Sequence, residues 1–478
     1  MIVNTIIKKY KSVPVTVKAG IWFTICNILL KGIAFITIPI FTRILSPEEY
    51  GLYTIYLSWY SILSIFVCLN LYYGVFNKAM IKFQNDRDRF TSSMQGLVLT
   101  LGILFFLIYF VLNSFFNRIF ELSTSIMCLM FVEMTITPMK QFWIGRKRFE
   151  YKYLGVVIVS ILGSLANAIL GILFIYWFKQ GAYSRIWASV LTESVIGGII
   201  LFSQFYKGKA FFHKEYWKYA LMFNIPLLPH YLSGIVLNQG DRIVIQKILG
   251  NAPVALYSIA YNVSMISQLV TTAIAQVLTP WLYSCLEKKK YESINKRLRS
   301  MMMVVALLCF IITLLAPELV WIMGSDTYAE AIFAIPPIAA SVFFIYMYSV
   351  YSNFEFYFEK RSFIAIASTV AGVLNVLLNI LFVPMFGYVA AAYTTLFCYI
   401  IYSYSHYMFC LKICKKELDG KFILETKSFG IISVIVIFLS SFSFVLYKTI
   451  ILRYLSVVII LTFIFIKRDS VIAMVKNE

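Results

Sequence analysis

The chain has 478 residues, of which 61% are hydrophobic and only 13% are charged, with a mean hydropathy of +0.82. This composition excludes an ordinary soluble protein of two or three domains. The formal net charge of +20 would suggest a nucleic-acid partner in a soluble protein, but the 42 Lys and Arg residues concentrate in alternate connections between apolar runs. We therefore expect a membrane protein that surrounds itself with lipid and has no nucleic-acid partner.

Apolar runs of about twenty residues, enough to cross roughly 30 Å of hydrocarbon as a helix, recur along the whole chain. The first six predicted helices span 18–41, 50–76, 93–113, 119–141, 154–178 and 184–206. The next six span 219–247, 253–285, 300–323, 329–352, 363–384 and 388–411, and a final pair spans 429–447 and 450–466. The sequence thus predicts an all-α polytopic membrane protein of about fourteen transmembrane helices.

Two matches along the chain indicate an internal duplication of six helices. Residues 43–53 after the first helix resemble residues 247–257 after the seventh, and Asn167 in helix five matches Asn375 in helix eleven. We predict an N-terminal six-helix lobe over 1–210, a C-terminal six-helix lobe over 211–412, and two extra helices with a tail over 413–478. Because each lobe has an even number of helices, we expect a pseudo-two-fold axis along the membrane normal.

The basic connections indicate which side of the membrane is cytoplasmic. Basic clusters such as 207–218, 288–299 and 412–427 fall in every second connection, and both ends of the chain are basic as well. Cytoplasmic loops carry this excess of Lys and Arg. The pattern therefore places both termini in the cytoplasm, with short loops on the outer side.

Polar residues form one stripe on the first predicted helix. Thr24, Asn27 and Lys31 are spaced three and four residues apart, which puts them on one helical face. Lys31 lies near the middle of its span, too far from either end to reach the headgroups easily. Since a charge at mid-membrane costs about 2.5–3.5 kcal/mol, we expect Lys31 to point into the helix bundle.

Helix seven carries a second polar stripe, which includes Asn238, Asp241 and Arg242. Pro226 and Pro229 remove backbone donors below this stripe, so the sequence predicts a kinked helix. Asp241 and Arg242 have two open interpretations, a functional pair or a structural end-cap at the outer surface.

Two further carboxylates lie inside predicted spans of the first half. Glu133 falls in helix four and Glu193 in helix six. Each is a candidate for coupling to H⁺ or Na⁺, and each is equally a candidate for a buried pair with a hydroxyl group or a cation.

The sequence contains no nucleotide-binding glycine loop, no metal-ligand cluster and no nucleophile–base spacing, and its three histidines are scattered. We therefore expect no enzyme, no cofactor and no metal site. The short outer loops also argue against a membrane glycan polymerase, which would be expected to hold its acceptor in an extended outer loop.

Three segments resemble recurrent patterns of the polysaccharide transporter family, which contains the O-antigen and capsule flippases. The most specific is Pro-Ile-Phe-Thr-Arg-Ile-Leu-Ser-Pro-Glu-Glu-Tyr-Gly at 39–51. The second runs from Phe-Asn-Ile-Pro at 223–226 to Asp241 and Arg242, and the third contains Asn375, Asn379 and Ala-Ala-Tyr-Thr-Thr at 391–395. Together these matches cover about 400 residues.

The resemblance implies a flippase of the multidrug/oligosaccharidyl-lipid/polysaccharide exporter superfamily in a bacterial cytoplasmic (inner) membrane. Its expected substrate is an undecaprenyl-pyrophosphate-linked oligosaccharide repeat unit, used for the synthesis of O-antigen, capsule or other exopolysaccharide. The expected mechanism is alternating access through a cationic cavity between two lobes. A polysaccharide polymerase and a chain-length regulator are further candidate partners. The expected substrate-binding residues are Lys31, Arg242, Asn27, Asn238 and Arg43, and the expected ion-coupling residues are Glu133, Glu193 and Asp241. The alternatives are a cation-coupled multidrug exporter of the same superfamily and a membrane glycan polymerase.

Overall fold

The computed structural model describes residues 13–360, 362–418 and 426–466, and this part of the chain contains eighteen α-helices and no strand. It divides into two compact units, unit 1 up to Leu232 and unit 2 from Ser233 onward. The boundary lies inside one helix, α10. The predicted lobe boundaries at 210 and 412 remain predictions, and the basic ends of the chain lie outside the described residues.

Unit 1 consists of nine helices and the beginning of a tenth. They are α1 (Val15–Ile44), α2 (Pro47–Cys68), α3 (Gly74–Lys82), α4 (Arg87–Val111), α5 (Asn113–Phe120), α6 (Thr124–Phe149), α7 (Tyr153–Phe178), α8 (Ala182–Gly208), α9 (Lys214–Asn224) and α10 (Leu228–Leu249). Short 3₁₀ turns over Gln84–Asp86 and Ile225–Leu227 connect α3 to α4 and α9 to α10.

Unit 2 contains most of α10 and the remaining helices. They are α11 (Asn251–Glu287), α12 (Tyr291–Leu314), α13 (Ala316–Gly324), α14 (Ile335–Tyr357), α15 (Ser362–Phe386), α16 (Tyr388–Glu417), α17 (Thr426–Tyr447) and α18 (Ile450–Ile466). A 3₁₀ segment over Asp326–Phe333 joins α13 to α14.

The predicted all-α polytopic fold is confirmed. Among the described residues, eleven helical segments are long and apolar enough to cross a membrane, or twelve if α5 and α6, which meet at 90°, form one span. Two more helices, α16 and α18, coincide with predicted spans without meeting the same criterion. The exact number of fourteen spans therefore stays a prediction.

The connection from α1 to α2 shows how local sequence sets a helix boundary. Ser46 accepts a hydrogen bond from the Glu49 backbone N–H at 3.2 Å, and the Glu49 carboxylate accepts one from the Ser46 N–H at 3.0 Å. Pro47 occupies the first helical position, where its missing N–H costs nothing. This capping box satisfies two of the free donors at the start of α2 and fixes the turn.

Glycine residues with positive φ precede α8 and α16. Gly181 has φ +51° and Gly387 has φ +71°, a backbone region that L side chains rarely adopt. A Cβ atom on Gly181 would also overlap the Glu49 carboxylate, whereas nothing lies within 4 Å of the corresponding position at Gly387. Tight glycine turns therefore bring α7 onto α8, and α15 onto α16, as antiparallel neighbours.

Each unit has its own aromatic core. In unit 1, the ring centroids of Phe76 and Phe142 lie 5.1 Å apart, and both side chains are fully buried. In unit 2, α14 is buried on nearly all sides and contributes Phe343 and Phe354 to the core. A helix that is apolar all round belongs at the centre of its bundle, and α14 packs against α11, α12, α16 and α17.

A charged cluster closes the end of α6. The Glu150 carboxylate accepts from Arg146 Nε at 2.8 Å, from Lys147 Nζ at 3.1 Å and from Lys152 Nζ at 3.0 Å. Burial alone would raise the pKa of Glu150, but these three cations hold it at about 2. The carboxylate thus anchors a basic segment that the sequence assigns to the cytoplasmic side.

Several helix ends differ from the sequence prediction, and two of the differences have a clear backbone cause. The predicted span 50–76 ends at Cys68, because Leu69 and Asn70 adopt left-handed conformations with φ of 48° and 51°. The predicted span 300–323 is broken after Leu314, where α13 begins with Pro317 in its first turn. In contrast, the interruption predicted from Pro226 and Pro229 is present as the 3₁₀ turn between α9 and α10.

Candidate functional site

Helix α1 exposes two different stripes. Ile21, Ile25, Ile28 and Leu29 form an exposed apolar stripe, and Asn27 and Lys31 are exposed next to it. An apolar stripe can face hydrocarbon at no cost, but a lysine in mid-span cannot. The cost of placing a charge in hydrocarbon therefore favours contact of Lys31 with water or a polar ligand.

Arg43 lies at the end of the same helix. Its Nη1 donates to the backbone carbonyl of Pro39 at 2.9 Å, and its side chain is exposed. A cation in the last turn also interacts favourably with the carbonyl end of the helix. The geometry of Arg43 is therefore that of a C-terminal helix residue with part of its charge still accessible.

A buried carboxylate occupies the interior of unit 2. Asp241 on α10 is only 1% exposed. Its carboxylate accepts from Asn379 Nδ2 at 2.6 Å, from Thr395 Oγ1 at 2.8 Å and from the Tyr257 hydroxyl. These three donors come from α15, α16 and α11, so four helices of the unit meet at one side chain.

A second layer of amides and hydroxyls completes this cluster. Asn379 Nδ2 also lies 3.2 Å from Asn375 Oδ1, Asn379 Oδ1 accepts from Thr394 Oγ1, and Asn375 Nδ2 donates to Thr395 Oγ1 at 3.2 Å. Asn375 and Asn379 are both fully buried. The Asp241 cluster, defined as Asp241, Tyr257, Asn375, Asn379, Thr394 and Thr395, is rich in the oxygen atoms that hard cations prefer.

Arg242 is adjacent to Asp241 in sequence but points elsewhere. Its Nε donates to Ser258 Oγ at 3.2 Å, its Nη1 donates to the Asn238 carbonyl at 2.8 Å, and its guanidinium lies 4.4 Å from the Tyr261 ring centroid. Among the described residues, no carboxylate oxygen approaches this guanidinium within the 4.0 Å of an ion pair. Arg242 is 5% exposed, so it is a buried cation rather than a surface cap.

Asn238, one turn before Arg242, is exposed at the surface of unit 2. Its Nδ2 donates to the Gly234 carbonyl at 2.7 Å, and its Oδ1 accepts from the Tyr261 hydroxyl at 3.1 Å. Asn238 therefore holds Tyr261, the ring on which Arg242 stacks.

The interior of unit 1 contains its own buried carboxylate. Glu133 on α6 is 7% exposed, and it accepts from Ser189 Oγ at 2.8 Å and from the Tyr56 hydroxyl. Neutral hydroxyl groups therefore satisfy both of its oxygens. The sequence left a hydroxyl partner open as one interpretation of Glu133, and the structure places two such partners beside it.

Glu193 on α8 has a cationic partner instead. Its Oε1 lies 2.5 Å from Lys140 Nζ on α6, and both side chains are 15% exposed. The pair lies at the edge of a cavity of about 340 Å³ inside unit 1, whose lining includes Thr37, Asn167 and Arg185. An ion pair of this kind neutralises the carboxylate without help from a transported cation.

One contact recurs in the two units and agrees with the predicted duplication. In unit 1, Asn167 Nδ2 donates to Ser189 Oγ at 3.3 Å. In unit 2, Asn375 Nδ2 donates to Thr395 Oγ1 at 3.2 Å. The matched asparagines that the sequence identified thus make the same contact to equivalent helices, α8 and α16.

Sequence reasoning missed one fully buried acid–base pair. His406 Nδ1 lies 2.7 Å from Glu355 Oε1, and both side chains are completely buried in unit 2. The predicted span 329–352 ended before Glu355, so this carboxylate was assigned to a loop. Within the described residues, no group of three or more His, Cys, Asp or Glu side chains is arranged to hold a metal ion.

Comparison with known proteins identifies relatives over most of the chain. The polysaccharide biosynthesis protein family matches residues 16–286. The Lsg locus putative protein 1 of Haemophilus influenzae is 21% identical over 378 residues, which cover 75% of this chain and 89% of that protein.

Solved structures share the fold at low sequence identity. The lipid II flippase MurJ in an inward closed conformation matches with a TM-score of 0.68 at 14% identity, over 94% of this chain and 100% of its own. An inward-facing multidrug resistance MATE family transporter of the MOP superfamily matches with a TM-score of 0.62 at 15% identity, over 78% of this chain and 92% of its own. At these identities the likeness is one of fold.

Proposed function

This chain belongs to the polysaccharide biosynthesis protein family, and from that premise we propose that it is a cation-coupled flippase for a lipid-linked oligosaccharide. The family match supports the predicted resemblance to polysaccharide transporters, and the multi-pass helical fold is the one found in MOP superfamily transporters. The proposed cargo is an undecaprenyl-pyrophosphate-linked repeat unit of O-antigen or capsule, moved to the outer leaflet of a bacterial cytoplasmic membrane.

Asp241 is the observation that carries the coupling proposal. An ionised carboxylate that is 1% exposed needs a compensating positive charge. Its three hydrogen-bond partners within the described residues are neutral, and the buried Arg242 guanidinium, whose own partners include Ser258 and the Asn238 carbonyl, makes no ion pair with it and offsets its charge only through space. A proton or Na⁺ is then the natural counter-charge, and four helices contact the residue that would take it up.

Lys31 is the residue that we propose to bind the pyrophosphate. A pyrophosphate group leaves water only when cations and hydrogen-bond donors replace its hydration. Lys31 has an exposed ammonium group on the polar stripe of α1, and Asn27 lies one turn away on the same stripe. Arg43 is a further contact in the same unit. In unit 2, Arg242 has fewer N–H donors available for a ligand, because Ser258 and the Asn238 carbonyl already accept from it. Asn238 positions Tyr261, the ring on which Arg242 stacks.

Cation coupling and the membrane potential would act in the same direction. Moving two negative charges outward through an inside-negative potential releases about 2.3 kcal/mol per charge per 100 mV. Entry of a proton or Na⁺ at Asp241 would add a second driving force. Glu133, which also has neutral hydroxyl partners, is a second coupling candidate, whereas Glu193 is a weaker one because Lys140 already neutralises it through Oε1.

Complementation tests this function directly. A bacterium that lacks its own repeat-unit flippase and makes the cognate repeat unit would receive the wild type, Lys31→Ala or Lys31→Arg. We expect the wild type to restore surface polysaccharide, Lys31→Ala to reduce it at least tenfold, and Lys31→Arg to retain much of it, because the positive charge remains.

Lys152→Ala is the matched control, because Lys152 is also an exposed lysine but lies in the Glu150 cluster at the end of α6. Its surface polysaccharide should stay within twofold of the wild type at equal membrane levels. Equal rescue by Lys31→Ala would remove Lys31 from the transport path. Failure of the wild type, together with resistance to cationic dyes, would instead favour a multidrug exporter.

A further inference from the structure

The cavity inside unit 1 is lined by an arginine, two of whose three donor nitrogens have no hydrogen-bond partner among the described residues. Arg185 lies in the first turn of α8, is 8% exposed and lines the 340 Å³ cavity. Its Nε and Nη1 atoms are buried and have no hydrogen-bond partner in the described part of the chain. A buried guanidinium normally has its N–H groups satisfied, so two unused donors indicate a missing partner.

Aromatic rings hold this guanidinium in place without neutralising it. Its Cζ atom lies 4.5 Å from the Phe41 ring centroid and 4.9 Å from the Tyr53 ring centroid. Cation–π contacts stabilise a cation by about 0.5–2 kcal/mol, well below the several kcal/mol that burial of an ion costs. Within the described residues, no carboxylate oxygen lies within 4.0 Å of Arg185.

The charges that line the cavity do not cancel. Lys140 and Glu193 neutralise each other through their 2.5 Å contact, which leaves the positive charge of Arg185 in excess. Glu133 lies outside the cavity lining, and Ser189 and Tyr56 occupy its two oxygens. The excess of one positive charge matches one monovalent anion, whereas a dianion would leave a net negative charge buried.

Comparison of the two internal repeats gives a second, independent argument. Arg43 in unit 1 matches Lys247 in unit 2, and the residues six positions before them are Thr37 and Asp241. Ser189 in unit 1 matches Thr395 in unit 2, and the residues four positions before them are Arg185 and Ala391. The repeat in unit 2 therefore has a carboxylate where unit 1 has a neutral threonine. Conversely, unit 1 has a guanidinium where unit 2 has an alanine.

We propose that the cavity around Arg185 in unit 1 is a binding site for one small monovalent inorganic anion of the chloride type. The guanidinium supplies the charge and two N–H donors. Serine side chains at 160 and 164, which also line the cavity, supply hydroxyl donors. The cavity is large enough to hold the ion with some of its water. This assignment stands whether or not Asp241 binds a cation.

Radioactive chloride binding to the purified full-length protein in detergent tests the proposal. The wild type should bind about one chloride per chain saturably, bromide should displace it, and gluconate should not. Arg185→Gln should weaken binding at least tenfold. Arg297→Gln is the matched control, because Arg297 is also a buried arginine stacked on a ring, 4.3 Å from Trp281, but it lies outside this cavity.

A second variant addresses the simplest rival, in which Glu133 balances Arg185 through space, so that the wild type binds no chloride and only Glu133→Gln binds it. Glu133→Gln removes that nearby negative charge and should tighten chloride binding several-fold. Unsaturable binding by the wild type, or equal binding by Arg185→Gln, would overturn the proposal. If Arg185→Gln fails to fold, wild-type crystals that contain bromide provide the test. An anomalous bromide peak beside Arg185 would support the site, and its absence would count against it.

Discussion

Replacing Asp241 by Asn removes one negative charge from the interior of unit 2 with almost no change in shape. The side-chain oxygen of Asn can still accept from Tyr257 or Thr395, so we expect the cluster to fold. A cation bound about 2.4 Å from the wild-type carboxylate would gain at most about 7 kcal/mol at an effective dielectric constant near 20. Dehydration of the ion offsets much of this gain. We therefore expect Asp241→Asn to raise the Kd for the cation at least a hundredfold, equivalent to about 2.8 kcal/mol.

Equilibrium binding of radioactive Na⁺ to the purified protein measures this effect, with repeats at several pH values to reveal competition by protons. Glu193→Gln is the matched comparison, because it also neutralises a carboxylate inside the helical bundle. Lys140 already neutralises Glu193, so this variant should leave the Kd within about twofold. If Asp241→Asn binds Na⁺ and protons as the wild type does, the assignment of the coupling site to Asp241 is refuted.

Two further predictions concern stability. Gly181→Ala should destabilise the protein by about 2–4 kcal/mol, because it adds backbone strain and displaces the Glu49 carboxylate from its capping box, whereas Gly387→Ala should cost only the strain, about 1–3 kcal/mol. Thermal unfolding in detergent measures both, and equal losses would contradict the role of Glu49. Glu150→Gln should lower the Tm by about 2–4 °C at pH 7. The pKa of Glu150 is about 2 in the folded protein and about 4.3 in the unfolded chain, so the Tm difference between the wild type and Glu150→Gln should shrink as the pH falls from about 4.3 towards 2. A Tm difference that stays constant over this range would argue against the charge cluster.

The helical membrane fold was predictable because long apolar runs have one stable solution in lipid. Helix boundaries were less predictable, since hydropathy does not detect left-handed residues such as Leu69 or a break such as that after Leu314. The kink beside Pro226 was predictable because proline lacks a backbone donor.

The candidate site was only partly predictable, because a single sequence identifies charged residues in spans but not their partners. Asp241, Glu133 and Glu193 were found in this way. Lys140 was missed as a partner because it lies at the inner end of its predicted span. Arg185 was missed because it lies one residue inside its span, where a cation normally reaches the headgroups.

Reconstitution of the purified protein into liposomes with a labelled undecaprenyl-pyrophosphate oligosaccharide tests the proposed function most directly. Movement of the lipid to the opposite leaflet can be followed through its access to a membrane-impermeant glycosidase. We expect transfer at least tenfold faster than in protein-free liposomes, with a rate that responds to a gradient of Na⁺ or H⁺ and loses this response in Asp241→Asn. A wild-type rate equal to that of protein-free liposomes would contradict flipping itself, and wild-type transfer indifferent to both gradients would contradict cation coupling.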